Sequence, residues 1–129
     1  KGLKAVFCIG ETAKERDSGK RNEVLEKQIK EGLKDIIDDG ILSIPELLII
    51  AYEPVWAIGT GNNCSPQETK ESIEFIRKFV PDGVKILYGG SVNSQNSASY
   101  IEESNADGLL VGGASLNAQE FLKIVNSAE

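Results

Sequence analysis

Apolar residues along the chain alternate between two rhythms, short unbroken runs and longer polar stretches with spaced apolar positions. Leu3 to Ile9 ("LKAVFCI") is apolar but for Lys4 and closed by Gly10, which predicts a short buried strand. Residues 12 to 39 are polar but carry Val24, Leu25, Ile29, Leu33, Ile36 and Ile37 at helical spacing. Gly19 divides that helix and Gly40 stops it. Leu47 to Tyr52 predicts the second strand. Ser65-Pro66-Gln67-Glu68 opens the next helix, with serine as N-cap, proline at the first helical position and glutamate three residues after the serine. Ile73, Ile76, Phe79 and Val80 form its stripe, and Pro81-Asp82-Gly83 ends it. Val84 to Tyr88 predicts a third strand closed by Gly89-Gly90, and residues 94 to 103 a short helix. Ala106 to Val111 predicts a fourth strand closed by Gly112-Gly113, and Ala118 to Val125 the last helix.

Strand and helix alternate four times, which predicts an α/β fold of parallel strands joined by helical crossovers. No linker, low-complexity stretch or second domain interrupts residues 1 to 129. The strand ends Cys8-Ile9-Gly10-Glu11, Tyr52-Glu53-Pro54, Tyr88-Gly89-Gly90-Ser91 and Val111-Gly112-Gly113-Ala114-Ser115 then share one face, where parallel βα folds build ligand sites.

Composition narrows the chemistry. The chain has 129 residues, 40% apolar and 26% charged, as a soluble globular domain would. The net charge of −6 argues against nucleic-acid binding. No apolar run reaches membrane-span length and no signal peptide opens the chain. Two cysteines, Cys8 and Cys64, form no disulfide framework and point to a reduced, cytoplasmic setting. There is no histidine, the commonest general acid/base and metal ligand, and no methionine. The chain begins almost directly in a strand, so a processed or truncated chain is expected.

Two Gly-Gly pairs after consecutive strands suggest a phosphate site, because glycine lets backbone N–H groups close on an anion without a basic side chain. Each pair taken singly reads more readily as a tight βα turn, and it is the two together that point to a site. Glu53 ends a buried strand between apolar neighbours. Partial burial would raise its pKa and make it a usable base, while a solvated or ion-paired loop acid is the bland alternative. Cys8 reads as a core residue, Glu11 as a helix N-terminal acid and Trp56 as surface packing. Residues 54 to 61, stiffened by Pro54, loosened by Gly59 and Gly61 and apolar at Val55, Trp56 and Ile58, read as a lid that excludes water.

"AYEPVWAIGTG", "ILYGGSVN" and "DGLLVGGASL", in this order and preceded by "VFCIGET" and "SGK", resemble the triosephosphate isomerase family. The resemblance covers the whole chain but only strands five to eight of a (β/α)8 barrel, a fold of about 250 residues. It implies a single C-terminal half-barrel segment with the N-terminal half absent. It implies a cofactor-free, metal-free isomerase of glycolysis and gluconeogenesis that interconverts dihydroxyacetone phosphate and glyceraldehyde 3-phosphate. By position, Glu53 would be the catalytic base. Gly59, Ser91, Gly112 and Gly113 would bind the substrate phosphate. Ile58 and Leu110 would sandwich and dry Glu53, and Cys8 would lie behind it. Trp56 would swing toward Glu11 as the lid shuts, a closure often used to illustrate enzyme gating, and Tyr88 would brace the closed form. The hinge Asn62-Asn63-Cys64 departs from the Lys-Thr-Ala of many members. The family's electrophilic histidine, its substrate-binding Asn and Lys and most of its homodimer interface belong to the first half, so the isolated chain is expected to be nearly inactive. The alternatives are a non-catalytic half-barrel that binds phosphate or self-associates, and another phosphate-binding βα barrel of the tryptophan or histidine pathways. The latter lacks the Glu-Pro-Val-Trp lid.

Overall fold

A computed structural model describes residues 3 to 38 and 45 to 128. Its strands are β1 (Ala5–Ile9), β2 (Leu48–Tyr52), β3 (Lys85–Tyr88) and β4 (Gly108–Leu109). They pair in parallel in the order β1-β2-β3-β4, so every neighbour in the sheet is a neighbour in sequence. Helices intervene: α1 (Ala13–Asp17), α2 (Arg21–Gly32) and α3 (Lys34–Asp38) after β1, α4 (Pro66–Arg77) after β2, α5 (Ser97–Glu103) after β3 and α6 (Ala118–Asn126) after β4. Right-handed crossovers between strands in chain order bring the helices to one face of the sheet. The fold is half of a (β/α)8 barrel, as expected.

The register fixes which residues face which way. Phe7, Ile50 and Ile86 are aligned across the sheet, as are Ile9, Tyr52 and Tyr88, and a strand's period of two puts both rows on one face. That face carries the core, where Ile50, Ile86 and Tyr52 meet Leu25, Ile29, Ile73 and Ile76, all fully buried. The opposite face holds Val6 and Cys8 from β1, Ile49 and Ala51 from β2, and Leu87 from β3. It stays open, with Val6 49% exposed and Leu110, just past β4, 37% exposed.

The two faces predict different responses to truncation. Ile73→Val should cost about 0.5–1.5 kcal/mol, because a buried methyl is lost from a packed site. Val6→Ala should stay within about 0.5 kcal/mol. Urea unfolding of both variants checks this, and equal costs would contradict the assignment of the core.

Several elements differ from the sequence reading. The first strand begins at Ala5, and only Ile9 in it is buried, because β1 lies at a sheet edge with one face uncovered. The segment after it forms three helices, not two. A second break follows Gly32, where any side chain would meet the Phe7 ring at 2.3 Å. Gly40 lies outside the described residues. The helix opened by Ser65 has the expected capping box with Glu68 but ends at Arg77, before Pro81. The fourth strand shrinks to Gly108–Leu109, since only β3 offers it a ladder. Asp107 anchors its entry by accepting hydrogen bonds from Ile86 N–H (2.8 Å), Arg77 (2.8 Å) and Lys85 (3.2 Å). Burial pushes the Asp107 carboxyl up, but these donors outweigh it and hold it below the usual range. No helix among the described residues is long and apolar enough to cross a membrane.

Candidate active site

The ladder of β-sheet hydrogen bonds runs on past the strand ends and fixes the loops there. Glu53 N–H donates to Ile9 O at 2.7 Å, Val55 N–H to Glu11 O at 3.0 Å, and Gly89 N–H to Tyr52 O at 2.9 Å. Leu110 N–H closes the series on Tyr88 O at 2.8 Å. Glu53 is thereby held between the loops after β1 and β3. Two steps beyond Ala51, its side chain shares the open face.

Glycines on both sides make the fit. A Cβ at Gly10 would stand 1.8 Å from the Glu53 carbonyl oxygen, so the two loops approach only because that atom is missing. A Cβ at Gly89 would stand 2.6 Å from Glu53 Cγ and 2.9 Å from Oε1. The carboxylate therefore lies across bare backbone and is half-buried. Cys8 adjoins it but is exposed on the uncovered face of edge strand β1, not a core residue as expected. The desolvation it does suffer, and then the neighbouring Glu53 charge, push the Cys8 thiol up, which makes it a poor nucleophile.

The segment after Glu53 leaves the sheet in a 3-10 turn, Val55–Ala57, with Pro54 buried before it. Trp56 Nε1–H donates to Glu11 Oε1 at 2.8 Å, and Tyr52 Oη–H reaches both Glu11 oxygens at 3.2 and 3.3 Å. Glu11, fully buried, is thus a fully engaged acceptor and not a reagent. The Trp56–Glu11 contact is made while Ile58, two residues further along the loop, is 46% exposed. Gly59 and Gly61 adopt φ of 65° and 76°, a region that side chains disfavour. Ser91 Oγ–H holds the loop's inner edge by donating to Ala57 O at 2.6 Å.

At the far end of the loop Cys64 is buried, which pushes its thiol up to about 11. Its carbonyl accepts from Tyr100 Oη–H of α5. The Tyr100 ring stacks on Tyr88 at 4.2 Å between centroids. Tyr88, expected as a brace for the lid, has a buried hydroxyl with no hydrogen-bond partner among the described residues. Gly90 gives that hydroxyl its room, since a Cβ there would stand 2.0 Å away.

Glu53, Ile58, Gly59, Ser91, Leu110, Gly112 and Gly113 line one cavity of about 370 Å³. The N–H groups of Gly59, Ser91, Gly112 and Gly113 donate no hydrogen bond among the described residues, so they are open to an anion. Trp56, Glu11, Tyr88 and Cys8 do not line the cavity. Three residues went unread in the sequence. Gly10 gives no signal beyond closing a strand, and Gly89 reads as part of a phosphate turn. Tyr100 sits in an unremarkable helix and matters only through Cys64. Among the described residues no cluster of His, Cys, Asp and Glu could hold a metal ion.

The family model for triosephosphate isomerase matches residues 1–128. The chain is 47% identical to the triosephosphate isomerase of Lawsonia intracellularis over 98% of its own length and 51% of the relative's. It is 42% identical to that of Dictyoglomus thermophilum, covering 98% of this chain and 52% of the relative. It is 47% identical to that of Nitratidesulfovibrio vulgaris, covering 96% and 51%. The chain thus spans about half the length of the curated relatives it matches.

Proposed function

Since the chain belongs to the triosephosphate isomerase family, we propose that it forms the second half of that enzyme's barrel and carries its base and phosphate cradle. The reaction is the interconversion of dihydroxyacetone phosphate and glyceraldehyde 3-phosphate, without a cofactor. Glu53 takes a proton from one substrate carbon and returns it to the next. Gly59, Ser91, Gly112 and Gly113 hold the phosphate through backbone N–H groups, which suits an acidic chain handling an anion. Ile58 and Leu110 flank the carboxylate and exclude water when substrate is bound. The first half of the barrel supplies the electrophile that polarises the carbonyl oxygen, and two completed barrels pair as a homodimer.

The observation that carries this reading is the shared cavity, in which one half-buried carboxylate faces unpaired N–H groups from three separate loops. Addition of inorganic phosphate, followed by amide NMR, tests the cradle. We expect the resonances of Gly59, Ser91, Gly112 and Gly113 to move together, and those of Arg16 and Arg21 to stay. Shifts confined to the arginines would remove the cradle from the proposal.

A further inference from the structure

We propose that Arg16 is a positioning residue for the lid, its guanidinium stacked on Trp56 so that the indole stays seated on Glu11. This rests on reading residues 54 to 61 as a lid, and adds a residue that neither lines the cavity nor touches Glu53. The guanidinium lies 4.0 Å from the centroid of the Trp56 ring. The ring is therefore held twice, at its N–H by Glu11 and on its face by Arg16. Both holds come from one short segment. Thr12 and Glu15 form a capping box that fixes the start of α1 directly after Glu11, and Arg16 lies one turn on. Asp17 steadies the guanidinium with contacts at 2.8 and 2.9 Å.

Arg16 also meets the other end of the lid. With Ala13, Trp56, Asn62 and Asn63 it lines a groove between α1 and the loop. One cation thus borders both the start of the lid and Asn62-Asn63 at its far end. A planar cation over an indole face is attracted by the ring quadrupole. Removing it should loosen the seat without opening the core, because Arg16 is partly exposed.

Trp56 is the single tryptophan, so its fluorescence reports this seat alone. In the full chain, Arg16→Ala and Arg16→Met should redden the emission and raise the acrylamide quenching constant about two- to fivefold, with Arg16→Lys between them and wild type. Far-UV circular dichroism should be unchanged. Unaltered quenching in Arg16→Met, with the fold intact, would overturn the proposal. With the first half added, the same variants should lower kcat/KM by a similar factor. If quenching rises while kcat/KM holds, the lid role falls. The fluorescence result requires no substrate and so does not depend on the assignment of Glu53, which Glu53→Gln tests separately.

Discussion

Glu53→Gln, tested in the barrel completed by a first-half fragment, is expected to lower isomerase turnover by about 10²–10⁴-fold, the usual contribution of a positioned general base. Glutamine keeps the shape and cannot accept the proton. Shape matters here because the side chain lies so tightly across Gly89 that a Cβ there would stand only 2.6 Å from its Cγ, and the isosteric amide fits where the carboxylate did. Phosphate-induced shifts at Gly112 and Gly113 should persist, because those N–H groups do not depend on Glu53. The expected signature is therefore a loss in kcat with little change in phosphate affinity. Turnover close to wild type would refute the assignment of the base.

The chain by itself is expected to turn over triose phosphate at least about 10²–10³-fold more slowly than the mixture with a first half, the typical effect of losing electrostatic stabilisation of a developing oxyanion. The physical ground is the inventory. The chain has no histidine, and among the described residues Glu53 is the one carboxylate lining the cavity. A base can remove a proton only if the resulting charge on oxygen is stabilised. The open face carrying Val6, Leu110 and Leu87 has the apolar character of a surface that packs against further strands. Mixing the chain with the first half of a relative, followed by an activity assay and a size measurement, decides the matter. Activity that appears only on mixing supports the proposal. Robust turnover by the chain alone, or a stable self-dimer that ignores the added half, contradicts it.

The fold was legible in the sequence where one residue type has one physical use. Ser65-Pro66-Gln67-Glu68 announced a capping box, and the box is there. The runs at Leu47 and Val84 announced strands within one residue of their observed starts. Legibility failed where the answer depends on a neighbour remote in sequence. The run from Leu3 to Ile9 is as apolar as a central strand, and nothing local says that one of its faces lacks a cover. Gly32 looks like an ordinary helix residue until Phe7 is seen against it. The candidate site divides in the same way. Glu53 and the Gly-Gly pairs stand out because a carboxylate or paired glycines at a strand end are unusual. Gly10, Gly89, Arg16 and Tyr100 work through shape and stacking against partners 12 to 43 positions away, and no short pattern encodes that.

The order β1-β2-β3-β4 also bears on how this chain reaches its structure during synthesis. Each strand pairs with the one made just before it, so a growing polypeptide never has to wait for a partner that lies far downstream. Each closure spans one crossover, from 21 to 43 positions, and none has to span the whole chain. A ribosome releasing these residues in order would set down one βα unit at a time, and Glu53 would be made before Gly89 and Ser91, whose contacts complete its setting.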